Sequence, residues 1–126
     1  MKPAHDYNLT VADVAKHYAL TERTIRSHLK AGRLKGVRIG GLWRCSWRSV
    51  WSEEQGPLPK GEREEPYRRP LLTKRDVARQ WGVSERTIER WIVAGLPTRN
   101  VFGNVRIAPE DLGAWVQAQF GVGDAA

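Results

Sequence analysis

Cysteine is almost absent from this sequence, since Cys45 is the only one among 126 residues. The chain therefore cannot form an internal disulfide, and a reducing cytoplasm fits that composition. No apolar run reaches the ~18 residues of a membrane-spanning helix, and the chain opens without the pattern of a secretory signal peptide. We therefore expect a cytoplasmic protein without membrane contacts.

Side chains arranged for catalysis or metal binding are also missing. His5, His17 and His28 lie far apart in the sequence, with no cysteine or carboxylate at ligand spacing. The sequence contains no nucleophile–base combination, no glycine-rich phosphate loop and no paired catalytic carboxylates. We expect a protein that is not an enzyme and that needs no cofactor, metal or small-molecule ligand.

Positive charge is abundant. The chain has 21 lysines and arginines against 14 acidic residues, which gives a net charge of +7 and a pI near 10.1. Such a balance favours an acidic partner, and nucleic acid comes first. An anionic membrane surface or simple solubility would explain the charge alone equally well.

An internal repeat organises the chain. The stretch "TERTIRSHL" at residues 21–29 returns as "SERTIERWI" at residues 84–92, and the match extends on both sides at an offset of 63, then 62. The repeat predicts one module over residues 1–55 and a second, with a short C-terminal tail, over residues 71–126. Residues 56–70 are rich in proline, glycine and charge, so they are predicted to be a flexible, solvated linker.

Each module has the signals of two consecutive helices. Thr10 and Thr73 are N-cap candidates for the first helix, and Thr21 and Ser84 for the second. Gly32 stands where the second helix of the first module should end. Two helices joined by a short turn have helix-turn-helix spacing, and a third helix is expected at the end of each module.

A β-hairpin is predicted after the second helix. A three-residue loop at residues 40–42 would pair Ile39 with Trp43 and Arg38 with Arg44. That register places the apolar side chains on one face and both arginines on the other, so it is preferred over a two-residue loop. On the apolar face, Cys45 is expected to be buried.

The same register in the second copy turns Asn100 and Arg106 outward. The fold class expected overall is mainly α with small β-hairpins.

The outward face of the second helix is basic. With Ile25 and Leu29 facing inward on a wheel of ~100° per residue, the far side of the first copy carries Arg23, Ser27 and Lys30, and Arg26 lies at the flank. Arginine and lysine suit phosphate oxygens and guanine edges, and an α-helix fits the major groove of DNA. The alternative is an ordinary solvated face.

These segments resemble a known family. "TVADVAKHYALTERTIRSHLKAGRLKGVRIGGLWRCS" and "TKRDVARQWGVSERTIERWIVAGLP…NVRIAPEDLGAWV" are similar to the winged helix-turn-helix domain of the excisionase family, which is related to the MerR regulators. The resemblance implies that the second helix of each module reads the major groove and that the hairpin is a wing on the backbone or minor groove. The implied DNA-binding residues are Thr21, Arg23, Thr24, Arg26, Ser27, Lys30, Arg38, Arg44, Ser84, Arg86, Thr87, Arg90, Asn100 and Arg106.

The resemblance implies a sequence-specific double-stranded DNA-binding protein. The first expectation is an excisionase, or recombination directionality factor, of a phage or mobile element, with recognition helices in successive major grooves. Its partners would be DNA and an integrase or another copy of itself along DNA. One alternative is a transcriptional regulator, a repressor, of the same fold. Another is a phage adaptor whose second module docks a protein.

Overall fold

The computed structural model describes residues 6–121, and His5 of the sequence analysis lies outside them. Within those residues the chain is mainly helical, with two small antiparallel sheets of two strands each. No helix in this part is long and apolar enough to cross a membrane. The α-helices and β-strands in chain order are α1 Val11–Tyr18, α2 Glu22–Lys30, β1 Val37–Ile39, β2 Leu42–Arg44, α3 Trp47–Ser52, β3 Glu54–Gln55, α4 Lys74–Trp81, α5 Glu85–Val93, β4 Asn100–Val101 and α6 Pro109–Phe120. Two short 3-10 helices, Gly61–Arg63 and Pro66–Arg68, lie between β3 and α4.

The repeat seen in the sequence is a repeat of structure. Helices α1 and α4 have the same length and begin and end 63 residues apart, and so do α2 and α5. Thr10 and Thr73 each cap their helix in a capping box, because each hydroxyl accepts from the amide of an aspartate that bonds back to the cap. Both helices stop at a left-handed residue, Ala19 or Gly82.

The second helix of each pair begins and ends as the sequence predicts. The Thr21 hydroxyl accepts from the Thr24 amide at 3.2 Å, and the Ser84 hydroxyl accepts from the Thr87 amide at 3.1 Å. Gly32 follows α2 with φ of +79°, a conformation that favours glycine. These caps confirm the predicted helix boundaries.

The predicted register of the first hairpin (residues 37–44) is wrong by one residue. The strands pair Val37 with Arg44 and Arg38 with Trp43, so the loop has two residues. Gly40 and Gly41 both have positive φ, +60° and +83°, as a type I′ turn requires, and such turns match the twist of paired strands. Arg38 and Arg44 therefore lie on opposite faces.

Cys45 does not take part in that hairpin, although its predicted burial is confirmed. It pairs with Leu9, just before α1, through backbone hydrogen bonds of 3.0 and 2.8 Å. Leu72 and Ile107 form the equivalent bridge in the second half of the chain. The chain before each helix pair is thus held to the strand after it.

The second hairpin (residues 99–106) has the same two-residue turn. Val101 pairs with Asn104, and the Arg99 amide donates to the Arg106 carbonyl at 2.8 Å. Strand β4 of this hairpin also pairs with the first half of the chain, since it forms an antiparallel sheet with β3. The two halves, residues 6–55 and 71–121, are therefore joined by a sheet.

The connecting segment, residues 56–70, is mostly exposed, as predicted, but it is not a free tether, because one of its side chains is anchored in a core. Tyr67 is buried in the core of the first half, and its carbonyl accepts from the Trp51 indole at 3.2 Å. Just after the segment, Leu71 is also buried and its amide donates to the His17 carbonyl at 2.8 Å. An aromatic ring that finds a core overrides a composition rich in proline, glycine and charge.

A buried ionic cluster joins the two halves and the connecting segment. Glu54 accepts from Arg99 Nε at 2.6 Å and is hydrogen-bonded to His17 Nε2 at 2.8 Å. The Arg99 guanidinium lies 5.0 Å from the centre of the Tyr67 ring. All four side chains are buried. Since a buried charge without its partner is costly, the cluster favours one arrangement of the two halves.

Candidate nucleic-acid interface

Helix α2 presents a basic face to solvent. Ile25 and Leu29 are buried in the core of the first half, which fixes the rotation of the helix. The side chains on the opposite side are all exposed, and these are Arg23, Arg26, Ser27 and Lys30. The predicted orientation of the helix is confirmed.

The positive charges of this face are not held by strong ion pairs within the protein. Arg26 pairs with Glu22 one turn earlier at 3.1 Å, and about half of each side chain is exposed. Exposed pairs of this kind contribute ~0.2–1 kcal/mol. Arg23 and Lys30 have no ion-pair partner within residues 6–121. A phosphate or a guanine edge would therefore meet little competition from the protein.

The hydroxyls at the start of α2 are already in use. Thr21 and Thr24 are joined by a hydrogen bond of 2.9 Å between their hydroxyls, and Thr21 also caps the helix. Ser84 and Thr87 repeat this arrangement at the start of α5. Of these four predicted DNA contacts, Thr21 and Ser84 are therefore helix caps, and Thr24 and Thr87 are bonded to them.

One arginine of the first hairpin is exposed and held near the turn. Arg38 is exposed, lies 5.2 Å from the centre of the Trp43 ring and donates from Nη2 to the Gly41 carbonyl at 2.8 Å. The ring and the carbonyl hold its guanidinium near the turn. Trp43 itself is half-buried and packs against the core of the first half.

Arg44 lies on the other face of the hairpin and is half-buried. Its Nη1 donates to the Trp43 carbonyl at 3.0 Å. The prediction that it projects beside Arg38 is wrong, because the two-residue turn reverses its face.

Two basic residues of the surface were missed in the sequence analysis. Arg33 and Lys35 are exposed in the loop between α2 and β1. Arg33 donates from Nε to His28 Nδ1 at 2.8 Å. Burial, with the Arg33 charge adding to it, lowers the pKa of His28. The signal that could have found them was the basic composition of the loop that follows α2.

Helix α5 offers a less basic face. Arg86 and Arg90 are exposed and, with Glu89 and Val93, line a shallow depression. Glu89 is paired with Lys74 at 3.2 Å, and Val93 is 89% exposed where α2 has Lys30. Only two cations of the predicted surface therefore remain on this helix.

Asn100 and Arg106 do not face outward, so their predicted orientation is wrong. The Arg106 guanidinium donates from Nε to the Tyr18 carbonyl at 2.8 Å and from Nη2 to the Ala19 carbonyl at 2.9 Å. Asn100 lies in the sheet between the halves, opposite Gln55. Both residues are occupied because the second hairpin packs on the first half.

Comparisons with protein-family models, with curated proteins and with solved structures found no match to this chain.

Proposed function

We propose that the protein binds double-stranded DNA in a sequence-specific manner as two winged helix-turn-helix modules. The observation that carries the proposal is the exposed basic face of α2, formed by Arg23, Arg26 and Lys30. An α-helix with its side chains is ~10–12 Å wide, which matches the ~12 Å width of the major groove. Arg23 and Arg26 would contact guanine edges or phosphates, and Lys30 phosphates.

The first hairpin supplies the second contact. Arg38 is held near the turn, and Arg33 and Lys35 lie between the hairpin and α2. Phosphate contacts of this kind position a protein on the duplex without reading sequence. Arg38 would reach the backbone or the adjacent minor groove while α2 occupies the major groove.

The second half would make a weaker contact through Arg86 and Arg90. The buried cluster of Glu54, Arg99 and His17 and the β3–β4 sheet hold α5 in a fixed relation to α2. The spacing between two half-sites would then be set by the fold and not by the length of residues 56–70. A fixed pair of DNA-reading helices suits an architectural role.

Within this class, we propose an excisionase-type recombination factor of a phage or mobile element, on the basis of the family resemblance. A repressor of the same fold would use the same surface. A phage adaptor is the second candidate, and the exposed Val93 and the charge of the second half favour it. Residues 71–126 have seven basic and six acidic residues, a net +1, against ten and five in residues 1–55.

The test removes three charges from α2 and, in a matched control, three from elsewhere. Arg23→Ala, Arg26→Ala and Lys30→Ala together should weaken binding to a selected duplex by about thirtyfold to a thousandfold or more, since two base-reading arginines at ~1–3 kcal/mol each contribute ~2–6 kcal/mol. The control combines Arg48→Ala, Lys60→Ala and Arg79→Ala, all exposed, and should change affinity far less. Equal losses in a gel-shift titration would show that net charge, and not α2, carries binding.

A further inference from the structure

The two hairpins have the same turn but different surroundings. The second hairpin is docked on the first half: Phe102, at its turn, stacks on His28 at 3.7 Å and meets Tyr18 edge-on at 5.9 Å. Val101 beside it is buried. The first hairpin has no such support, because Ile39, the equivalent of Val101, is 47% exposed and Leu42 is 58% exposed.

Arg44 and Arg106, which are equivalent, hold their guanidinium groups in the same way. Each donates from Nη1 to the carbonyl of the residue before it, at 3.0 Å for Arg44 and 2.8 Å for Arg106. The Nε and Nη2 of Arg106 then bond the two carbonyls at the end of α1. Within residues 6–121, the same two nitrogens of Arg44 have no acceptor.

The exposed apolar side chains of the first hairpin lie on the same face as Arg44. Direct cross-strand partners share a face of a hairpin, and the register pairs Val37 with Arg44 and Ile39 with Leu42. Ile39, Leu42 and the free donors of Arg44 therefore form one continuous surface. Its counterpart on the second hairpin is the surface that packs against α1 and α2.

The surface that would receive this hairpin is open in the second half. The equivalents of Tyr18 and Ala19 at the end of α1 are Trp81 and Gly82 at the end of α4. Tyr18 is buried, whereas Trp81 is 38% exposed. The carbonyls of Trp81 and Gly82 accept no hydrogen bond from another segment of the described chain.

Aromatic side chains surround this open helix end. Trp91, the equivalent of His28, lies 6.5 Å from Trp81 and 5.7 Å from Phe120, measured between ring centres. Phe120 is also exposed. Solvent-facing aromatic rings beside free helix carbonyls match a hairpin tip that offers two aliphatic side chains and an arginine.

We propose that copies of this chain join head to tail, with the first hairpin of one copy docked on the α4–α5 face of the next. Arg44 would donate to the carbonyls of Trp81 and Gly82, as Arg106 does to those of Tyr18 and Ala19 within the chain. Ile39 and Leu42 would cover Trp81 and Phe120. Because the two surfaces differ, the contact does not close on itself and leads to open chains of subunits.

The proposed contact between copies would involve fewer interactions than the docking of the second hairpin on the first half of the chain. Val37 stands where Arg99 forms its buried ion pair with Glu54. Helix α6 also continues through the positions equivalent to β3, so the β3–β4 pairing has no counterpart. Association should therefore be weak in free solution, and small interfaces of this kind are typical of transient contacts.

The test uses the full chain without DNA, so that its failure leaves the proposed DNA binding untouched. Sedimentation velocity from about 10 µM to about 1 mM, a range that covers weak contacts, should show an average mass that rises with concentration. Leu42→Asp and Trp81→Asp should each abolish the rise. An equimolar mixture of the two variants should recover dimers but nothing larger, because it contains one intact pair of surfaces.

A monomeric wild-type protein across that range would overturn the proposal. Dimers that the mixture fails to restore would overturn the head-to-tail arrangement, since a symmetric contact is damaged on both sides. Circular dichroism checks the fold of each variant, and Arg44→Ala and Phe120→Asp replace a variant that does not fold.

A gain of association provides a second readout. Gly40 is the equivalent of Phe102 and has a similar positive φ, and a side chain added at Gly40 would meet open space. Any side chain at this φ strains the backbone, so the reference is Gly40→Ala, which has the same strain without the ring. Relative to Gly40→Ala, Gly40→Phe should strengthen self-association by about threefold to tenfold through stacking on Trp91 and Trp81. Equal or weaker association than that of Gly40→Ala would contradict the equivalence of the two hairpins.

Discussion

The two halves of the molecule have similar buried side chains but different exposed ones. Ile25 and Ile88 are both fully buried at the same point of the repeated helix, and the caps before them are made in the same way. Outside, Arg26 and Lys30 of α2 are replaced by Glu89 and Val93 of α5. The two halves thus share the side chains that the fold requires and differ in those that are exposed.

The hairpins differ more than the helices. One is buried between the halves and the other is exposed, although both have a two-residue turn and an arginine at the same place. Position in the chain explains the difference: the second hairpin has the first half to pack on, whereas the first hairpin has no equivalent neighbour in residues 6–121. The following predictions test this contrast between occupied and free surfaces.

The largest effect is expected at the buried cluster that joins the halves. Arg99→Ala would leave Glu54 buried without its cation, and breaking such a pair costs ~3–5 kcal/mol. Urea unfolding should therefore show a large loss in the free energy of unfolding. Arg68→Ala is the control, because Arg68 forms only exposed ion pairs, and it should change that free energy little. If Arg99→Ala and Arg68→Ala had equal free energies of unfolding, the role of the cluster would be contradicted.

Arg106 and Arg44 form the next comparison. Arg106→Ala removes two hydrogen bonds to the end of α1 and leaves those carbonyls without their donors, at a cost of ~1–3 kcal/mol. Arg44→Ala should leave the free energy of unfolding of the monomer nearly unchanged, since its Nε and Nη2 have no acceptor there. The measurement is denaturant unfolding at low protein concentration. A comparable loss in both variants would refute the distinction.

Single substitutions can exchange one charged side chain between the exposed faces of α2 and α5. Val93→Lys gives α5 the lysine of α2 and should increase the dependence of log K on log salt by about 0.9, the value for one phosphate contact. Lys30→Val should reduce that dependence by a similar amount. Both are measured by titrating DNA at several salt concentrations. A slope that Val93→Lys does not change would mean that α5 stays away from the backbone.

A smaller effect concerns His28, which carries the stacked Phe102. Burial and the Arg33 charge lower its pKa in the folded protein, so the folded state binds fewer protons than the unfolded chain. The stabilising contribution is complete above the ordinary pKa of ~6.5 and decreases as the pH falls below that value. Phe102→Ala should raise the pKa of His28 in an NMR titration. A pKa that stays where it was would assign the shift to Arg33.

Local signals in the sequence were sufficient for the helices but not for the contacts between halves. The capping residues Thr10, Thr21 and Ser84 and the apolar spacing of Ile25 and Leu29 act within a few residues, so they predicted boundaries and orientation correctly. The hairpin register depended on the Gly40-Gly41 dipeptide, whose preference for a type I′ turn prevailed over the apolar alternation on which the predicted register was based.

The remaining differences come from tertiary contacts. No local pattern shows that Arg106 meets the end of α1, or that Tyr67 leaves a charged segment to join a core. Both side chains are drawn from solvent by groups far away in the sequence. The exposed basic face of α2 could therefore be predicted from the sequence, while the residues that couple the two halves could not.

Selection of bound duplexes from a random pool tests the central claim most directly. It would compare the full chain with the Arg23→Ala, Arg26→Ala double variant at near-physiological salt. The account predicts that the full chain selects a two-part motif with one fixed spacing, because the two helices are held rigidly. The double variant should lose the more strongly enriched part, because α2 makes the stronger contact. No enriched motif, or the same motif from both proteins, would contradict the assignment of α2 as the recognition helix.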